Sequence, residues 1–117
     1  MAFSSYLIAD FVIDEANRQF APLFRINEER LDIFRQYCAA IDTFIEEFGG
    51  STLEVNVDEE DMTVLMKMEL EELVVDDRDR AVFTQLVERA LSMRVEHGEG
   101  DTVCIQLVFP SLWERAV

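Results

Sequence analysis

The chain has 117 residues, 50% of them apolar, with nine phenylalanines, which is enough to bury one core of ordinary size and little more. It therefore reads as a single domain over residues 1–117. The 25 acids against 10 bases give a formal charge of −15, a surface that repels phosphate backbones and anionic headgroups and so argues against nucleic acid and membrane as partners.

The N-terminal stretch MAFSSYLIADFVIDEA carries an apolar run without a basic leader, and Asp10 interrupts it well short of a membrane span. The expectation is a protein that is not exported and works in the cytoplasm. Two periods compete over the first 26 residues. Leu7, Ala9, Phe11 and Ile13 fit a strand, whereas Ile8, Val12, Ala16 and Phe20 fit a helix. A strand pair is the favoured reading, with FAPLFRI as its second member, confined to an edge by Pro22.

NEERLDIFRQYCAAIDTFIEEFGG follows, with Leu31, Phe34, Cys38, Ile41, Ile45 and Phe48 along one helical face. Asn27 is the expected N-cap, with Glu28 and Glu29 in the first turn and Ile26 placed to staple onto Leu31. Gly49 and Gly50 are the stop. Leu53, Val55 and Val57, then Val64, Met66, Met68 and Leu70, alternate with polar residues and predict a hairpin through Asp58-Glu59-Glu60-Asp61. Asp76 or Asp77 is expected to cap a second helix, striped by Val82, Phe83, Leu86, Val87, Ala90 and Leu91 and ending near His97-Gly98. Val103, Ile105, Leu107 and Phe109 predict the last strand. The implied class is α+β, two main helices packed on one face of an antiparallel sheet of three to five strands.

The tail, FPSLWERAV, has Pro110 to end that strand and a Ser111…Glu114 capping-box spacing that predicts one helical turn. Leu112 and Trp113 then either fold back over the core or form an interaction surface for a second subunit.

The chemistry-bearing residues make a thin set. Glu96, Glu99 and Asp101 crowd the glycines of VEHGEGD and would repel a phosphate. His97 has no nucleophile or paired carboxylate placed beside it by spacing, and suits a helix C-terminal cation better than a general base. Glu69 and Glu71 lie on an outward strand face, and Asp58–Asp61 lacks the ligand alternation and central glycine of a calcium loop, leaving adventitious cation binding at most. Phe34, Tyr37, Phe44 and Phe48 sit at helical spacing and read as core. Cys38 and Cys104 have neither Cys-x-x-Cys spacing nor a neighbouring histidine and are expected to be reduced, buried and slow to react. No metal or cofactor is called for.

The order helix, strand, strand, helix, strand over 27–109, with AAIDTFIEEF before the hairpin and LVERALSMRVEHGEGDTVCIQLVFP at the end, resembles the histidine-kinase-type ATPase fold (GHKL), in particular the anti-sigma serine kinases. The resemblance implies a water-orienting and magnesium-binding pair at Asp42 and Glu46, which keep oxygen ligands. It also implies an adenine box at Glu69-Leu70-Glu71-Glu72-Leu73, where no glycine is left, and a lid where only Val74 to Arg80 intervene. A degenerate member unable to hold nucleotide is what that pattern implies. The function expected is that of a non-enzymatic domain that binds a protein partner or itself, as a regulator, through its acidic surface or an exposed apolar edge. Two alternatives remain: a small enzyme using Asp42, Glu46 and Glu69, or a nucleotide-binding regulator of the GHKL type.

Overall fold

The computed structural model describes residues 5–71, 88, 90–98, 100 and 102–116. The described chain runs α1 (Ser5–Phe20), β1 (Phe24–Ile26), α2 (Glu28–Phe48), β2 (Gly50–Val57), β3 (Val64–Leu70), β4 (Ser92–His97), β5 (Val103–Phe109) and β6 (Trp113–Arg115). Strands β2-β3-β5-β4 form an antiparallel sheet in that order, and β1 and β6 form a separate two-stranded ribbon. The class is α+β, as the periods predict, but the first of the two described helices occupies Ser5–Phe20, where the alternation of Leu7, Ala9, Phe11 and Ile13 predicts a strand.

Helix α1 buries Ala9, Ile13 and Ala16 on a single stripe, while Leu7 and Phe11, which the strand reading turned inward, are 60% and 70% exposed. Small residues at helical spacing let α1 lie close against α2 and β2. Helix α2 follows its local signals. The Asn27 side chain accepts a hydrogen bond from the Arg30 amide at 3.0 Å, Leu31, Phe34, Cys38, Ile41, Phe44 and Ile45 are buried, and Gly49 closes the helix at φ 67°. Tyr37 is half-buried against the core, and the Phe48 side chain lies outside what the structure describes. Gly50 already belongs to β2, where a Cβ would collide with the Glu69 carbonyl of β3. The two glycines thus divide the work, one ending the helix and the other admitting the neighbouring strand.

The hairpin β2–β3 forms in the expected place, and Val64, Met66, Met68 and Leu70 are at most 2% exposed. A register shift between Thr52 and Glu54 takes Leu53 out of the alternation, and it is 52% exposed instead of facing the core with Val55. The acidic turn is held by its own carboxylates. Asp58 Oδ1 accepts the amides of Glu60 (2.7 Å) and Asp61 (3.3 Å), and Asp61 Oδ1 accepts the Thr63 amide (3.0 Å) and hydroxyl (2.7 Å). Those bonds hold the Asp61 carboxyl below the usual carboxylate range, the Thr63 hydroxyl foremost.

The expected second helix lies outside the described residues between Asp76 and Val87, but its predicted end is overturned. Ser92–His97 is a strand, in register with β5 from Ser92 opposite Val108 to His97 opposite Val103. The described part of VEHGEGD therefore ends one strand and leads to the next, with the Gly98 amide donating to the Thr102 carbonyl at 2.9 Å. His97 is a strand residue and does not close a helix.

The tail is also a strand. Ile26 pairs with Trp113 and Phe24 with Arg115, so the predicted helical turn is absent. Ser111 does act locally, its Oγ accepting the Trp113 amide at 3.1 Å, but Glu114 turns to the ribbon and accepts from the Asn27 amide nitrogen (3.1 Å) and Arg25 (3.3 Å). The Asn27 hydrogen bond first, and then the Arg25 guanidinium, hold the Glu114 carboxyl below the usual range. A capping-box spacing cannot outcompete a ready antiparallel partner 87 residues away.

Candidate functional site

The two carboxylates implied by the GHKL resemblance, Asp42 and Glu46, lie one turn apart on α2. Asp42, on α2, is committed to the start of α1: its Oδ1 accepts the Ser5 amide at 2.7 Å and lies 2.6 Å from the Ser5 hydroxyl, and its Oδ2 accepts the Tyr6 amide at 3.3 Å. Ser5 is fully buried, and its hydroxyl is also 3.1 Å from the Cys38 carbonyl. Asp42 thus caps the positive end of a neighbouring helix. Glu46, one turn on, is exposed. Glu69 alternates with the buried Met68 and Leu70 and so points to the opposite face of the sheet, away from α2. Glu69 is therefore not brought to Asp42 and Glu46. Glu71 is exposed at the end of β3. Among the described residues there is no group of three or more His, Cys, Asp or Glu able to hold a metal, and no helix is long and apolar enough to cross a membrane.

Leu112 and Trp113 are each 3% exposed. The indole meets the edge of Phe20 at 5.3 Å, and its Nε1 donates to Asn17 Oδ1 at 2.7 Å. Both residues are buried in the core, Trp113 against α1. Beside them, a groove of about 240 Å³ runs between α2 and the end of β5, lined by Arg30, Phe34, Tyr37, Phe109 and Leu112 among others. Phe34 and Tyr37 pack on the Phe109 ring at 5.4 and 5.6 Å, and the Arg30 guanidinium donates to the carbonyls of Ser111 and Trp113 at 3.5 and 3.3 Å.

The two thiols differ, contrary to the expectation that both are buried. Cys38 is 1% exposed, and burial first, then the Asp42 and Asp10 carboxylates, push its pKa up to about 12. Cys104 is half-buried on the outer sheet face, because Val103, Ile105 and Leu107 give it the opposite parity. A thiol reagent applied without denaturant is expected to label Cys104 at least tenfold faster than Cys38, read by peptide mass spectrometry, since the thiolate is the reacting form. Equal rates would mean that α1 and α2 open readily.

The feature that sequence reasoning missed is the edge of the large sheet. Every described side chain from Leu91 to Glu96 is exposed, including Leu91 at 63%, Met93 at 43% and Val95 at 47%. By register, Met93 and Val95 lie on the same sheet face as the buried Leu107 and Ile105. Helices α1 and α2 pack over the β2 side of that face, which leaves the β4 side with uncovered apolar groups. β4 is also the last strand of the sheet among the described residues. The signal was present in the alternation Ser-Met-Arg-Val-Glu-His, but it was absorbed into the helical stripe that precedes it.

The hydrogen-bond phase of this edge is set at both ends of β4. The Gly98 amide donates to Thr102 O, and Val108 O, opposite Ser92, accepts the Leu91 amide at 2.6 Å. In an antiparallel ladder, bonded pairs recur at every second residue, so Ser92, Arg94 and Glu96 direct their main-chain groups to β5. Met93, Val95 and His97 direct theirs away from the sheet. Arg94 and Glu96 project from the outer face as an exposed ion pair of 2.9 Å. Compared with known proteins, the chain matches no family model, no curated protein and no solved structure.

Proposed function

We propose that this domain is a non-enzymatic, cytoplasmic interaction module that acts by accepting an extended strand of a partner chain along β4. The observation that carries this reading is that β4, the last strand of its sheet among the described residues, directs the main-chain groups of Met93, Val95 and His97 outward beside exposed apolar side chains. Strand addition obtains affinity from main-chain hydrogen bonds and selectivity from alternate side chains, and edges left open in this way are usually blunted by charge, proline or a cover. β4 carries a single base and a single acid beside His97, so it is a nearly neutral approach in a chain of charge −15. Nucleic acid and lipid are not partners in this reading, and no cofactor takes part.

Proline scanning tests it. Val95→Pro removes a donor that points away from β5, a position where strands tolerate proline, so the domain is expected to stay folded and lose docking. Glu96→Pro removes a donor to β5 and is expected to cost about 1–3 kcal/mol, because a ladder hydrogen bond is lost and its acceptor on β5 is left unpaired. A photocrosslinker at position 93, in cells, is expected to give a protein adduct that Val95→Pro abolishes. If no adduct forms, or if Val95→Pro leaves it unchanged, the edge is not the docking element.

A further inference from the structure

We infer that the strand received by β4 is the β4 of a second copy of this chain, in one register, with Val95 on the two-fold axis. This rests on the edge-docking reading above and adds the identity of the partner. Two identical strands that pair antiparallel about a two-fold place residues i and j opposite each other with i + j constant. Only outward-directed residues can exchange main-chain bonds, so Met93, Val95 and His97 must meet one another and not Arg94 or Glu96.

An axis at any residue of β4 satisfies that condition, but only those at 94 and 95 pair more than three of its residues with one another, and charge separates these two. With the axis at position 94, Arg94 faces the partner's Arg94. Only the axis at Val95 sets Arg94 against the partner's Glu96, and does so twice by symmetry. That pairing falls at non-hydrogen-bonded positions, where opposed side chains approach most closely and like charges are most unfavourable. In the same register Val95 bonds to the partner's Val95, and Met93 to the partner's His97, through both main-chain groups of each residue. Met93 and Val95 from the two copies then lie together on the face that α1 and α2 leave uncovered. The product is a continuous eight-stranded antiparallel sheet made of two four-stranded sheets.

An isologous contact is also self-limiting. Once the two β4 strands pair, that edge is consumed, and the opposite edge, β2, carries the Leu53 irregularity, which discourages further addition.

The test is charge exchange followed by sedimentation equilibrium over a rising micromolar concentration series. Arg94 and Glu96 have side chains 72% and 55% exposed, so their reversal leaves the fold intact, which circular dichroism checks. The wild-type chain is expected to form a dimer. Arg94→Glu alone and Glu96→Arg alone each place like charges opposite each other and are expected to weaken it on the order of tenfold or more. The double variant Arg94→Glu/Glu96→Arg restores the pairing, and so does an equimolar mixture of the two single variants, which forms a heterodimer. A wild-type chain that stays monomeric overturns the inference; if the position-93 adduct to another protein still depends on Val95, the edge reading survives it. A dimer indifferent to all four charge arrangements and to Val95→Pro overturns both.

Discussion

Trp113→Ala is expected to lower the stability of the domain by about 3–5 kcal/mol, the usual cost of truncating a buried large aromatic, and to leave its sedimentation unchanged. The indole is 3% exposed, and it joins α1, through Asn17 and Phe20, to the β1–β6 ribbon. Native domains hold only about 5–15 kcal/mol in all, so the variant is expected to fold with a small remaining margin, and its mass is compared at a temperature where circular dichroism shows it folded. Trp113→Phe, which keeps most of the ring and loses the bond to Asn17, is expected to cost less, about 1–3 kcal/mol, because Asn17 Oδ1 is left without its donor. Urea unfolding followed by circular dichroism measures both. A loss under 1 kcal/mol for the alanine variant would show that the ribbon frays without consequence for the core. The unchanged mass is what sets this residue apart from Arg94 and Glu96, whose reversal is expected to alter association and not folding.

Asp42→Ala is expected to cost about 2–3 kcal/mol, at the upper end of what removing one partner from a buried hydrogen-bonded group costs. Three donors at the start of α1 converge on this carboxylate: the Ser5 amide, the Ser5 hydroxyl and the Tyr6 amide. Ser5 has no exposed surface, so water cannot replace the lost acceptor without opening the contact between α1 and α2. Asp42→Asn keeps one acceptor oxygen and should recover part of the loss. A double-mutant cycle with Ser5→Ala is expected to show coupling of about 1 kcal/mol or more, measured by thermal or urea unfolding. Additive losses would mean that Asp42 and Ser5 act independently, and the capping of one helix from another would fall.

The elements legible from sequence are those whose information is local. Helix α2 announces itself through a long 3.6-residue stripe, an N-cap at Asn27 and a stop at Gly49, all within a turn or two of the atoms they satisfy. The β2–β3 hairpin is legible for a similar reason, since strict alternation flanks a short polar turn whose aspartates bond to amides two or three residues away. The inward face of β5 can likewise be read from its alternation. Of the candidate site, the alternating residues of β4 were visible, but not their exposure, which depends on where the helices end up.

Where two local patterns were equally available, a distant partner chose. Residues 5–20 carry a helical and a strand period at once, and the helix prevails because Ala9, Ile13 and Ala16 fit closely against α2 while Asp42, 37 residues away from Ser5, receives its first amides. Ser92–His97 continues a helical stripe in sequence but becomes a strand because β5 offers a complete ladder. The tail has the spacing of a helix cap but pairs with β1, and Leu53 leaves the core through one register shift that no alternation can foretell. The sequence by itself determined the α+β class, the acidic surface, α2 with its caps, and the inward faces of β3 and β5. Only the tertiary structure decided the state of α1, β4 and β6, the roles of Asp42 and Trp113, and the place of β4 at the end of its sheet among the described residues. The division is physical: caps and amphipathic periods are satisfied within a few residues, whereas a strand's hydrogen bonds and the cover over an apolar face come from wherever the chain returns.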